Sequence, residues 1–224
     1  MRFQKYLYEQ METSEKLLET IRRYCQKYIK EYIRNDVFLY SGRRSDKEWE
    51  IKRIRKDRKP QDTPEEIHNI FDDAFEDVFG IRLRSNSIFC YPDPRLSTWY
   101  GNIYMIFPFG DYETYYHPEI YDLYKQQDKY TDIKELEIKY NKQISSNIDV
   151  IVWNPDETIR AEVLKKIEEN FKKLVRNEYK KGVVKYSGDK KPPEVMVYGD
   201  RYLMISEKIL KQDNNFLLGE IKKL

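Results

Sequence analysis

The fold class is indicated most clearly by residues 84–100, which read RSNSIFCYPDPRLSTWY. Within this stretch, residues 87–91 carry the β-branched and aromatic side chains typical of a short strand. Asp93 followed by Pro94 predicts a short helix that runs to Tyr100, because aspartate caps a helix and proline fits its first turn. Together with the elements on either side, this stretch indicates an α+β domain. We expect any small-molecule site of the chain to be built around it.

Upstream of this stretch, the clearest element is a helix that begins after Thr63 and ends at Gly80. Thr63 and Glu66 form a capping-box pattern around Pro64 at the first helical position, and glycine is a common helix stop. Residues 1–35 predict one long N-terminal helix, since apolar side chains recur there at steps of three and four. Short strands are predicted at residues 37–40, 81–84 and 103–107.

Downstream, the pattern alternates between polar helices and short strands. The predicted elements are one or two helical turns at 118–124, a polar helix at 131–145, a buried strand at 148–153, a capped helix from 154 to about 181, and strands at 194–198 and 201–206. Gly199 and Asp200 between the last two strands are typical of a hairpin turn. We therefore expect an N-terminal helix at 1–35, an α+β domain at 36–206 with a helical insertion at about 125–147, and a peripheral tail at 207–224.

Composition excludes several classes of protein. Charged residues make up 36% of the 224 residues, and no apolar run approaches the roughly 18 residues of a membrane span, so we expect a soluble protein without a membrane partner. The cysteines Cys25 and Cys90 and the histidines His68 and His117 lack the spacing of a zinc site. We expect no metal, a reducing compartment and a cytoplasmic location.

Glycine is scarce, which excludes two nucleotide-binding folds. None of the eight glycines falls in a GxGxxG or a GxxxxGK[ST] pattern, whereas a Rossmann domain or a P-loop needs several glycines in one turn. A GxSxG nucleophile elbow is also absent from the sequence.

Charge is segregated along the chain. Residues 43–59 contain nine Lys/Arg and four Asp/Glu, residues 62–77 contain seven acids and no Lys or Arg, and residues 172–191 contain eight bases and two acids. Such blocks are usually solvated faces, but the two basic segments are also candidates for binding nucleic acid. Twenty tyrosines can stack on bases, although we favour the interpretation that tyrosine replaces Leu and Phe in the core.

Three segments resemble the ADP-ribosyltransferase fold. Residues 38–43, FLYSGR, resemble the family's opening Tyr-Arg-Gly strand, residues 85–89, SNSIF, resemble its serine-bearing motif, and residues 194–197, EVMV, resemble the strand that begins with its catalytic glutamate. They occur in the family's order, and the resemblance spans about residues 40–200. It implies a mixed or antiparallel split β-sheet core. Residues 57–60, 100–101 and 122–124 also resemble phage-encoded proteins of unknown function.

The resemblance implies a role for each motif in the use of NAD as a substrate. Glu194 is the implied catalytic carboxylate, because cleavage of the nicotinamide–ribose bond passes through an oxocarbenium-like state. Ser85, chosen over Ser87, would orient that carboxylate. Arg43 would bind the phosphates, and Phe89 or Tyr91 would stack on nicotinamide. The remaining cofactor-binding candidates are Tyr40, Ser87 and Tyr100.

The sequence departs from the family pattern at two positions. Ser41 stands where the family has its arginine, and Arg43 lies two residues later, one full strand period away. Arg55 or Arg58 are alternative phosphate ligands. Pro192 stands where the family usually has Glu or Gln, which argues against arginine as the acceptor.

These observations leave three functions open. The first is a divergent mono-ADP-ribosyltransferase that modifies a protein or another macromolecule. The second is a catalytically silent domain of the same fold that binds a protein target, for example as a viral counter-defence factor in the host cytoplasm. The third is a nucleic-acid-binding protein that uses residues 43–59 and 172–191.

Overall fold

The computed structural model describes residues 2–59, 63–141, 143–145, 147–154, 156–211 and 216–224, with side chains from residue 13 onward except residue 128. The helices are α1 (Arg2–Tyr24), α2 (Gln26–Glu31), α3 (Glu65–Phe79), α4 (Leu83–Asn86), α5 (Pro94–Ser97), α6 (Lys134–Tyr140), α7 (Ile148–Val152), α8 (Glu157–Glu178), α9 (Glu207–Lys211) and α10 (Phe216–Lys222). The strands are β1 (Leu39–Arg43), β2 (Trp49–Arg53), β3 (Ser87–Cys90), β4 (Asn102–Pro108), β5 (Glu113–Tyr116), β6 (Lys180–Lys181), β7 (Val195–Tyr198) and β8 (Arg201–Ser206).

The strands form two antiparallel sheets. The first has the order β1-β4-β8-β2 and the second the order β3-β7-β5-β6. The sheets meet where Tyr40 of β1 and Tyr91, just after β3, exchange two backbone hydrogen bonds of 2.8 Å. The predicted α+β class with antiparallel sheets is therefore confirmed.

Two hydrophobic cores lie on opposite faces of the second sheet. Along β7, Val195 and Val197 join a core shared with α1, α2, the first sheet and the C-terminal helices, whereas Met196 joins a core shared with α3, α7 and α8. This alternation follows from the two-residue period of a strand, which sends successive side chains to opposite faces. Because β7 is packed on both faces, the residues at its start are held in a fixed position.

The predicted N-terminal helix is interrupted at Cys25. The carbonyl oxygen of Tyr24 accepts a hydrogen bond from the backbone N–H of Gly110, 2.8 Å away, so this carbonyl is bonded outside the helix. Cys25 is buried, and its backbone bonds to Ile21 and Ile29 keep α1 and α2 in line.

Two predicted strands are helices. Residues 81–84 were expected to be extended, but α4 begins there because the carboxylate of Asp72 accepts the backbone N–H groups of Arg84 and Ser85. Residues 148–152 form α7, in which Ile148 and Ile151 are buried three residues apart, and Trp153, directly after the helix, is exposed. A short apolar run fits either structure, and here tertiary packing selects the helix.

The predicted hairpin is also wrong. β7 pairs with β3 and β5, whereas β8 pairs with β4 and β2, so the turn at Gly199 and Asp200 connects the two sheets. Gly199 lacks the positive φ that a primed hairpin turn requires at its glycine.

Several element ends and one helix differ from the prediction. The capping box of α3 is not formed, since Pro64 precedes the helix without a side-chain cap, but Gly80 ends it at φ 74° as expected. Residues 118–124 form turns and bends, with no helix. The tail is not peripheral: Ile209, Leu210, Leu217 and Ile221 of α9 and α10 are buried in the first core.

Candidate functional site

A cleft opens where the two sheets meet. Its volume is about 710 Å³, within the roughly 300–1,000 Å³ range of small-molecule sites. Its walls are formed by β1, the segment after β2, α4, β3 and the turns around residues 99 and 122. The lining residues are Ser41, Gly42, Arg43, Arg44, Arg58, Thr63, His68, Arg84, Phe89, Tyr91, Trp99, Tyr100, Asp122, Tyr124, Lys125 and Glu194.

Glu194 and Arg84 form an ion pair in this cleft. The backbone N–H of Glu194, directly before β7, donates to the carbonyl of Ile120 at 2.9 Å. Its Oε1 accepts from the guanidinium of Arg84 at 2.7 Å, and only 11% of either side chain is exposed. Within the described part of the chain, Oε2 has only a long contact, 3.5 Å from the hydroxyl of Tyr91. One carboxylate oxygen is thus paired and the other is weakly engaged, in a residue that lines the cleft.

The electrostatic environment of Glu194 combines burial with two guanidinium groups. Burial raises the pKa of Glu194 above its ordinary value, and Arg84 and Arg58 oppose this by favouring the ionised form. The nearby carboxylate of Asp122 adds to the rise of the Glu194 pKa. A desolvated carboxylate of this kind interacts strongly with positive charge that develops beside it.

Phe89 contacts two arginines. The guanidinium carbons of Arg58 and Arg84 are 4.1 Å and 4.4 Å from its ring centroid, so both make cation–π contacts with Phe89. Arg58 is held there by its backbone N–H, which donates to the carbonyl of Ser85 at 3.1 Å.

Arg58 has no carboxylate partner among the residues that the structure describes. Burial, together with the charge of Arg84, lowers the pKa of Arg58 to about 10. The Nε atoms of Arg43 and Arg84 are buried, and no hydrogen-bond partner for them lies within the described residues. Arg58 is thus unpaired with any described carboxylate and partly desolvated at the wall of the cleft, which suits it to binding an anion.

The predicted serines point away from the carboxylate. The hydroxyl of Ser85 donates to the carboxylate of Asp72. Nε2 of His68 lies 3.0 Å from the hydroxyl oxygen of Ser85. The hydroxyl of Ser87 donates to the carbonyl of Leu83 at 2.6 Å. Ser85 is therefore linked to Glu194 only through other residues. Asp72 accepts both the hydroxyl of Ser85 and the backbone N–H of Arg84, and Arg84 pairs with Glu194.

The cleft brings together five of the eight residues predicted for the site: Glu194, Arg43, Phe89, Tyr91 and Tyr100. Ser85, Ser87 and Tyr40 do not line it. The position that differs from the family pattern is also accounted for: the buried hydroxyl of Ser41 donates to the carbonyl of Phe89 at 2.8 Å and ties β1 to β3.

Sequence reasoning missed several residues of the cleft. Arg58 was only an alternative to Arg43, and Arg84 was not proposed, although it directly precedes the serine motif. Asp122 and Tyr124 belong to a segment noted for its resemblance to phage proteins. Other residues of the wall that were not proposed are Arg44, Thr63, His68, Trp99 and Lys125.

Within the described part of the chain, no group of three or more His, Cys, Asp or Glu side chains is arranged to hold a metal ion. None of the helices described there has the length and apolar character to cross a membrane. No protein-family model, curated protein or solved structure matches the chain.

Proposed function

We propose that the chain is a divergent mono-ADP-ribosyltransferase that cleaves NAD and transfers ADP-ribose to a macromolecular acceptor. The observation that carries the proposal is the carboxylate of Glu194, which is 11% exposed, is paired with Arg84 through one oxygen, and belongs to a residue that lines a cleft of about 710 Å³. The three segments with family resemblance correspond to β1, β3 and the start of β7, and all three contribute to this cleft.

The proposed reaction breaks the bond between C1′ of the ribose and the nitrogen of nicotinamide. The bonding electron pair leaves with nicotinamide, and the ribose acquires oxocarbenium character. Oε2 of Glu194 accepts a hydrogen bond from a ribose hydroxyl and stabilises the positive charge. The acceptor nucleophile then bonds to C1′ and loses its proton to water.

Arg84 has a positioning role in this proposal. Its guanidinium holds Oε1 of Glu194 at 2.7 Å, and it favours the ionised carboxylate against the effect of burial. The reactive oxygen is therefore Oε2, which is only weakly engaged by Tyr91.

Arg58 is the phosphate ligand in this proposal, with Arg43 beside it. Arg58 lines the cleft and has no carboxylate within salt-bridge distance among the described residues. A guanidinium pairs two of its N–H groups with two phosphate oxygens, which suits a diphosphate. Tyr91 and Tyr100 supply aromatic surface for the nicotinamide end.

A second candidate is a catalytically silent domain that binds a nucleotide-like ligand or a target protein. The observation that favours it is Ser41, which replaces the family arginine and whose hydroxyl is taken up by the carbonyl of Phe89. The two candidates differ in whether the bond to nicotinamide is cleaved.

Labelled NAD incubated with the protein and a cell lysate tests the proposal. Wild type should transfer label, and Glu194→Gln should abolish transfer while retaining NAD binding in calorimetry. Glu162→Gln is the matched control, because Glu162 pairs with Lys139 on the surface of α8, outside the cleft. NAD binding without transfer by wild type would select the silent domain, and absence of both would overturn the transferase.

A further inference from the structure

We propose that the acceptor of the transferase is a single-stranded nucleic acid, which docks on an exposed aromatic ledge at the mouth of the cleft. This inference rests on the proposed function for the transfer itself, but the docking surface is argued from its own residues. The ledge consists of Trp99 and Tyr100, with Lys125 against Trp99.

The ledge exposes aromatic surface in a fixed position. Trp99 and Tyr100 are 58% and 42% exposed, although both residues line the cleft. Nζ of Lys125 lies 4.4 Å from the ring centroid of Trp99. A large exposed indole beside a cation is a suitable platform for a nucleobase next to a phosphate.

Close backbone packing holds the ledge against β1. A Cβ atom on Gly42 would lie 2.0 Å from the carbonyl oxygen of Ser97, and one on Gly101, which has φ +128°, would lie 2.6 Å from the carbonyl oxygen of Arg43. The turn that carries Trp99 therefore lies directly on the strand that carries Arg43. A rigid platform of this kind loses little entropy when it binds a ligand.

The first basic segment of the sequence contributes Arg43, Arg44 and Arg58 to the wall of the cleft. The second does not line the cleft. Its nearest contacts are with neighbours of the wall: Nζ of Lys191 lies 4.4 Å from the ring centroid of Tyr121, which directly precedes the lining residue Asp122.

Positive charge is in excess at the cleft. Five Arg or Lys side chains line it against two carboxylates, those of Glu194 and Asp122. The lining therefore has three more basic than acidic side chains, which is more than the two phosphates of one dinucleotide need. A polyanion longer than NAD matches this distribution.

An unpaired strand fits these features better than a duplex or an acidic protein. Bases in a duplex are already stacked on each other, so they cannot cover Trp99, whereas a single strand presents its base faces. An acidic protein would neutralise the arginines but would supply no flat aromatic partner for the indole.

Fluorescence anisotropy without NAD tests the docking surface separately from catalysis. The probe is a labelled single-stranded oligonucleotide of mixed sequence, in DNA and RNA form, with a duplex of the same sequence and polyglutamate as competitors. Wild type should bind the single strand, and the affinity should fall steeply as salt rises. Trp99→Ala should weaken binding roughly 5- to 100-fold.

Trp153→Ala is the matched control, because Trp153 is 82% exposed and does not line the cleft. Its affinity should equal that of wild type, and circular dichroism should show both variants folded. The docking proposal is overturned if wild type does not bind at low salt, if duplex or polyglutamate competes better than the single strand, or if Trp153→Ala weakens binding as much as Trp99→Ala. Label transfer to lysate proteins by a chain that fails to bind the oligonucleotide would overturn the acceptor alone and leave the transferase standing.

Discussion

The guanidinium of Arg84 and the carboxylate of Glu194 are 110 residues apart in sequence and 2.7 Å apart in the structure. Arg84 is fixed by α4, whose first turn is bonded to Asp72, and Glu194 is fixed by the start of β7. Both side chains are only 11% exposed, so each charge depends on the other for its solvation.

Replacing Arg84 should therefore destabilise the fold. We expect Arg84→Met to lower the free energy of unfolding at pH 7 by about 3–5 kcal/mol, because it leaves the carboxylate of Glu194 buried and unpaired. Urea denaturation measures this change. Lys139→Met should have little effect, since Lys139 pairs with Glu162 on the surface, where water screens the interaction.

The loss caused by Arg84→Met should depend on pH. Without the guanidinium, the pKa of Glu194 in the folded state rises further above its unfolded value. A group with a raised folded pKa contributes stability that is present below the unfolded pKa and is lost as the pH rises through the folded pKa. The loss in free energy of unfolding relative to wild type should thus be smaller at pH 4 than at pH 7. An equal loss at both pH values would contradict the interpretation that the variant leaves the carboxylate of Glu194 unpaired.

Asp72 is predicted to be essential for the geometry of α4. Its fully buried carboxylate accepts from the backbone of Arg84 and Ser85 and from the hydroxyl of Ser85. We expect Asp72→Asn to lower the free energy of unfolding by about 2–3 kcal/mol, because the amide of asparagine is uncharged and has one acceptor oxygen where the carboxylate has two. The neighbouring Asp73→Asn, at a half-exposed side chain, is the control and should change the urea midpoint little.

Acid unfolding gives a second test of Asp72. Burial pushes the pKa of Asp72 upward, but the hydrogen bonds from His68 and Ser85 outweigh burial and lower it below the ordinary 3.8. Stability from a lowered carboxyl pKa is present above the unfolded pKa and is lost as the pH falls through the folded pKa. Wild type should therefore lose this contribution below about pH 4, where the difference between wild type and Asp72→Asn should shrink.

Gly42 should not tolerate a side chain. The Cβ of Gly42→Ala would meet the backbone oxygen of Ser97 at 2.0 Å, so β1 and the turn carrying Trp99 must separate. We expect a loss of about 1–3 kcal/mol and a shift in tryptophan fluorescence. In contrast, Gly219→Ala in α10 has open space around the new Cβ and should stabilise the helix by up to about 1 kcal/mol.

Arg58 should determine affinity for the phosphates of NAD. We expect Arg58→Ala to weaken NAD binding in calorimetry by about 10- to 100-fold, since a charge-assisted hydrogen bond is lost. Arg55→Ala is the control, because Arg55 is exposed and paired with Asp57 outside the cleft. Equal losses of NAD affinity in the two variants would contradict the proposed role of Arg58 in binding the phosphates.

Elements whose signals are local can be predicted from the sequence. Gly80 ends α3 because a glycine readily adopts the positive φ of a helix stop. Asp156 begins α8 because its side chain bonds the N–H groups of Thr158 and Ile159. The α+β class and the short helix after Asp93 are likewise predicted from patterns that span a few neighbouring residues.

Strand pairing and the contacts between charged side chains, in contrast, follow from the tertiary structure. β7 and β8 are separated by two residues, yet they belong to different sheets, because each strand pairs with segments distant in sequence. The contact between Arg84 and Glu194 is likewise formed only when β3 and β7 align. Residue spacing reports on neighbours within a helical turn or a strand, whereas sheet partners and buried ion pairs depend on how the whole chain closes around its two cores.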